Sequence, residues 1–349
     1  MPSSKSWRAV QLLLIIVLTV VVLYYGSGFL IPPAFGALLA TIFHPMAKRL
    51  EQKGWPKGAT ITLSVFIFLL LFTALSGVIF MQGQSLVEDW PKISERLNEK
   101  QQQVEKFLIQ QVGIAAEKRI DQAMERLSQQ KKEIASAASG FIGSFFSFIT
   151  GLVLALVYMV FFMLERRRIV NFFLKAVPQR HQSEARQAIH QARETATEYL
   201  VGRLILVGIL SVLYIGGFLL SGLQYAVPIA ILAAVLSIIP YIGNIIGGII
   251  AIGIAFATGG QLSLILGVVG TMALAQVMES YVLTPWIMGK EVNLNPLATF
   301  ACVLGFGVLW GIAGTVLAVP ITGAAKKIFD HVDGLRPYGY LLGNRGAES

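Results

Sequence analysis

Between positions 204 and 325 the chain carries only three charged residues, Glu279, Lys290 and Glu291. A stretch of that length cannot keep its surface wet, since globular proteins draw about a quarter of their residues from Asp, Glu, Lys and Arg. The whole chain follows the same pattern: of 349 residues 13% are charged and 55% hydrophobic, and the mean hydropathy is +0.68. These values exclude disorder and argue against an ordinary soluble enzyme, and they predict an all-α, polytopic integral membrane protein. Glycine is abundant, and 19 of the 34 lie between Gly202 and Gly323. Small residues of this kind let membrane helices touch or break.

The apolar runs divide the chain. Residues 1–81 hold three membrane helices, the first beginning at Ala9 and expected to be retained because no small-residue cleavage site follows it. Residues 82–140 are soluble in composition, with nine basic residues balancing nine acidic ones, and read as an extracytoplasmic helical hairpin. Leu86, Trp90, Ile93, Leu97 and Val104 form a heptad-like seam there. That seam either folds onto its own membrane domain or packs against a neighbouring copy in a homo-oligomer. Residues 141–165 return through the bilayer to the cluster Arg166, Arg167, Arg168, which marks the cytoplasmic face.

Residues 166–203 read as a cytoplasmic amphipathic segment lying at the inner interface, with Ala188, Ala192, Tyr199 and Leu200 on one face and Arg180, Arg186 and Arg193 opposite. Residues 204–325 are the expected transport core, and 326–349 a cytoplasmic tail. Both termini are therefore expected inside, in a bacterial inner membrane.

Several chemistries have no support. The net charge of +9 sits in short clusters beside apolar runs, as in membrane proteins, and no nucleic-acid-binding motif accompanies it. Cys302 stands alone in an apolar stretch, and His44, His181, His190 and His331 show no metal-ligand spacing. Without a nucleophile elbow, paired acids or a phosphate-binding loop, no enzyme activity, metal or cofactor is expected.

The core is interrupted in three places. Pro240, Tyr241, Gly243 and Asn244 break the run 226–257, followed at once by Gly247 and Gly248. Proline removes a donor and clashes with the preceding turn, so the helix is expected to open and leave backbone groups needing partners. Further on, Gln276, Glu279, Ser280 and Thr284 share one helical face before Pro285. An embedded acid is costly unless it faces an interior or a cavity, so Glu279 marks a candidate solute or ion path, with an interhelical hydrogen bond as the plainer alternative. Third come the polar turn at Gly289 and the glycines Gly305, Gly307, Gly311 and Gly314 within 297–325. About eight membrane segments result, two of them broken. Either the broken segments span, or they re-enter as hairpins from opposite faces. Half-segments shorter than about 17 residues favour re-entry.

The runs PYIGNIIGG at 240–248, ESYVLTPWIMGKEVNLNP at 279–296 and GIAGTVLAVPI at 311–321 resemble the signature regions of the AI-2E family of bacterial permeases. That resemblance extends over nearly the whole chain. It implies a secondary transporter exporting a small polar solute, in particular an autoinducer-2-like quorum-sensing signal, or alternatively a sodium or lithium antiporter exchanging against protons. A non-transporting membrane scaffold is the alternative from another class. In the first reading Tyr241, Asn244, Gln276, Ser280 and Thr284 supply hydrogen bonds to the solute, and in the second Glu279 carries the exchanged ion.

Overall fold

The computed structural model describes residues 4–88, 95, 149–240, 242–258, 260–288 and 294–344. The insert beyond residue 88, Tyr241 and Gly289 lie outside them, Glu95 excepted. Among the described residues the regular elements are all helices, and one isolated bridge joins Leu294 to Gly343.

In chain order these are α1 (Ser4–Tyr25), α2 (Ser27–Gln52), α3 (Lys57–Glu88), α4 (Ile149–Lys175), α5 (Gln182–Leu220), α6 (Ala226–Leu236), α7 (Ile242–Thr258), α8 (Leu262–Met288), α9 (Pro296–His331) and α10 (Arg336–Leu342). Six of them, α2, α3, α4, α5, α8 and α9, are long and apolar enough to cross a membrane. The other two segments of the expected eight are α1 and the pair α6 and α7, whose apolar helices are shorter.

α5 is the axis of the fold. Leu206, Leu210, Tyr214 and Phe218 recur every four residues along it and are almost wholly buried. They pack with Ile229, Ala230 and Ala233 of α6, Ala255 of α7 and Val268 of α8. Lipid is as apolar as leucine, so what holds these helices together is close dispersion contact, and alanines opposite large side chains provide it. The opposite faces carry Leu204, Ile205, Val212 and Leu220, all exposed, as a lipid-facing surface requires.

The segment expected to lie separately at the interface is continuous with this axis. Residues 182–220 form one helix, and Ala188, Ala192, Tyr199 and Leu200 are buried on other helices. No proline or glycine pair interrupts the sequence before Leu204, so the helix runs straight from polar into apolar surroundings.

Two chain reversals shape the rest. At the first, a β-carbon at Gly247 would meet Ala233 at 3.0 Å, and one at Gly243 would overlap the Leu236 carbonyl, so α6 and α7 lie antiparallel in contact. The second lies inside α9. Residues 306 and 314 would stand about 12 Å apart in a straight helix, yet a β-carbon at Gly314 would overlap the Phe306 carbonyl and one at Gly307 would meet Thr315 at 3.0 Å. The turn falls at Trp310 (φ −130°, ψ 16°) and Gly311 (φ 59°, ψ −140°). Only glycine adopts the second conformation without strain. Trp310 Nε1 anchors this tip by donating to the Leu23 carbonyl of α1 at 2.8 Å.

Candidate functional site

The Pro240 break, the polar face of α8 and the middle of α5 meet around one cavity of about 840 Å³. Pro240, Asn244, Gln276, Glu279, Ser280 and Thr284 all line it, together with Gly248, Tyr214 and Arg203. Six of the nine residues expected along a solute or ion path are thus gathered at one place, although they come from segments far apart in sequence.

Hydrogen bonds tie them together. Asn244 Nδ2 donates to Gln276 Oε1 at 2.6 Å and to Glu279 Oε2 at 3.0 Å, and Gln276 Nε2 donates to Ser280 Oγ at 3.0 Å. The other carboxylate oxygen of Glu279 accepts from Arg203 Nη1 at 2.9 Å. Glu279 is buried, and the guanidinium provides the counter-charge without which an embedded carboxylate would be prohibitively costly. Two polar atoms of this network, Arg203 Nε and Asn244 Oδ1, are buried without a hydrogen-bond partner among the described residues. One is a donor and one an acceptor, and both belong to residues that line the cavity.

The sequence did not single out Arg203. It sits one position before the nearly uncharged run and reads as the last basic residue of an amphipathic face. The available signal was indirect: a buried acid calls for a cation, and Arg203 is the first one flanking the apolar stretch. Tyr214, hidden among the apolar residues of α5, gave no such signal.

Three expectations change on inspection. The break at Pro240 does not leave a row of open backbone donors. The amides of Ser237, Ile238, Ile239, Ile242 and Gly243 all bond within the turn, to Ala233, Val235, Leu236, Pro240 and Ile239 respectively. Tight local turns thus consume these five amides. Gly243 is therefore a packing residue at the hairpin tip rather than a cavity wall, whereas Gly248 lines the cavity and faces Met272.

Nor does Pro285 interrupt its helix, and it stands outside the cavity lining. A π-helical turn over Glu279–Leu283 precedes it, and α8 then continues through Thr284–Met288. The wider turn relieves the clash a proline would make with the preceding carbonyls. It also places Glu279 and Thr284 on the same cavity. Among the glycines of α9, Gly311 makes the turn, Gly307 and Gly314 allow close approach, and Gly305 faces open space.

Among the described residues no group of His, Cys, Asp and Glu is arranged to hold a metal.

The model of the AI-2E family transporter matches residues 13–334. The chain belongs to this family. Similar proteins from several bacteria share it over most of their length. A Mycobacterium tuberculosis protein, named for a transport role, is 25% identical over 326 residues, covering 91% of this chain and 87% of its own. YueF of Bacillus subtilis, likewise named for transport, is 25% identical over 87% of this chain and 84% of its own. PerM of Escherichia coli, named as a permease, is 26% identical over 92% of both. This AI-2E family chain is therefore a multi-span membrane protein of a transporter family, and Glu279, Arg203 and Asn244 line the cavity described above.

Proposed function

We propose that this protein is a secondary transporter that exports a small, multiply hydroxylated solute across the bacterial inner membrane, an autoinducer-2-like signal being the favoured cargo. The observation that carries the reading is the pair of unpartnered polar atoms at the cavity, Arg203 Nε and Asn244 Oδ1. A buried donor and a buried acceptor left unpaired each cost about 1–3 kcal/mol. A hydroxylated solute that parts the side chains covering these atoms satisfies both at once, accepting from the guanidinium and donating to the amide oxygen. A cavity of about 840 Å³ also lies within the range of small-molecule sites.

The alternating movement that transport needs is assigned to the two reversals. In this reading α6 with α7 and the folded α9 re-enter from opposite faces, both termini are cytoplasmic, and the segment 82–140 is outside, where it helps hold a homo-oligomer. Paired broken helices around a central polar site are a recurring transporter design.

Exchange of sodium or lithium against protons is the second reading, favoured by the oxygens of Glu279, Gln276 and Ser280 on one face. Arg203 weighs against it, because a guanidinium already neutralises Glu279 and repels a cation entering beside it. A non-transporting scaffold would leave the unpartnered polar atoms without a use.

Purified protein in liposomes separates these readings. Labelled furanone-type polyol should leave the vesicles when a proton or sodium gradient is imposed. Sodium movement against protons with no polyol flux would establish the antiporter, and no flux of either would leave the scaffold.

A further inference from the structure

Away from the cavity at Glu279, a second recess of about 520 Å³ opens between α2, α4 and α5. Its polar wall is basic: Arg166 and Arg167 come from α4, Arg186 and Arg193 from α5, and Thr41 and His44 from α2. Phe162 and Met163, one turn back along α4, begin an apolar wall that runs toward the membrane-spanning part of the helix.

The charges in this recess are out of balance. Arg166 bonds Glu51, with both side chains largely buried. Among the described residues no carboxylate forms an ion pair with Arg167, Arg186 or Arg193. Glu194, next to Arg193 in sequence, turns instead to His190 at 3.3 Å. Four guanidinium groups therefore line one recess whose lining holds no carboxylate, with Glu51 and Glu194 standing beside it, and their mutual repulsion falls when an anion binds between them. The residue type matters too. Arginine presents a planar fork of donors that fits phosphate oxygens two at a time, where lysine offers only a point charge.

The apolar wall narrows the choice of anion. Free phosphate would use the arginines alone, whereas a phospholipid also covers the half-buried apolar lining at Ala37, Ala40 and Phe162. Its phosphate sits on the arginines and an acyl chain runs along Phe162 and the two alanines. The recess also lies at the end of α4 where its basic residues gather, the depth at which head groups lie.

We propose that this recess is a binding site for an anionic phospholipid, its phosphate held by Arg166, Arg167, Arg186 and Arg193. The proposal does not depend on what the protein transports.

The test uses the full chain in neutral detergent with added phosphatidylglycerol or phosphatidylcholine, reading lipids retained by native mass spectrometry and the thermal midpoint in parallel. Phosphatidylglycerol should be retained preferentially and should raise the midpoint. The double change Arg186→Gln with Arg193→Gln should weaken retention by about tenfold or more, as expected for loss of charge-assisted hydrogen bonds. Arg168→Gln is the control, because its side chain is 85% exposed and lies outside the recess; it should behave as the unaltered protein. An equal loss in Arg168→Gln would mean diffuse surface charge and would overturn the site. Displacement of the lipid effect by millimolar inorganic phosphate, with the same stabilisation, would assign the recess to a soluble phosphate and overturn the lipid. Should the double variant not fold, Arg193→Gln alone, at a residue exposed along much of its length, reads the same loss. Unchanged retention in a folded variant would end the proposal.

Discussion

Arg203 Nη1 donates to Glu279 Oε1 at 2.9 Å, joining α5 to α8 across 76 positions of sequence. Their side chains are 12% and 7% exposed, so neither charge can turn to water when the other is removed. Breaking a buried pair from one side typically costs about 3–5 kcal/mol, whereas removing both members leaves no stranded charge.

Arg203→Gln should accordingly lower the thermal midpoint in detergent by more than the double change Arg203→Gln with Glu279→Gln. A double variant whose loss equals the sum of the two single losses would mean that the pair contributes nothing to the fold beyond its separate members.

Transport should respond differently from stability. Glu279→Gln retains an oxygen for Asn244 but loses the charge that Arg203 neutralises, so gradient-driven flux should disappear while particle size stays the same. A variant with the flux and pH profile of the unaltered protein would reduce Glu279 to a structural hydrogen-bonder.

The glycines around Pro240 should separate into two kinds. Gly248→Leu projects into the cavity beside Met272 and should abolish solute flux in a folded protein. Gly243→Ala collides with the Leu236 carbonyl and should reduce folded yield instead. Comparable transport by Gly248→Leu and the unaltered protein would remove the cavity from the solute path.

At the second reversal, Gly311→Ala forces a side chain into a conformation that costs about 1–3 kcal/mol, and Trp310→Phe removes the bond to Leu23, worth about 1 kcal/mol. Thermal melts should rank them in that order. The reverse ranking would show that the tip is held by its anchor to α1 more than by the glycine turn.

Orientation is open to direct measurement. In a Cys302→Ser background, Gln102→Cys should react with an impermeant thiol reagent in intact cells, and Arg168→Cys only after lysis. The opposite pattern would invert the topology.

Much of the site was legible because polarity is rare in this stretch. Asn244, Gln276, Glu279 and Ser280 stand out against apolar neighbours, and their three- and four-residue spacing puts the last three on one face. Arg203 did not stand out, because a single arginine at the edge of a basic segment looks like solvated surface, and the pairing that matters spans most of the core. Proline was a strong signal with two outcomes. Pro240 turns the chain back, while Pro285 is absorbed by a π-helical turn, and neighbouring packing rather than local composition separates the cases. The glycine cluster of α9 was equally plain, but which member would turn the chain depended on backbone angles that no count of glycines contains.

α5 has 39 residues without a break, so it is about 58 Å long, nearly twice the thickness of a hydrocarbon core. A shaft of that length stands well clear of the bilayer at one end. It carries Arg193, in the basic recess, and Arg203, on the buried acid, ten positions or about 15 Å apart. The basic recess and the buried ion pair are two stations on one unbroken rod.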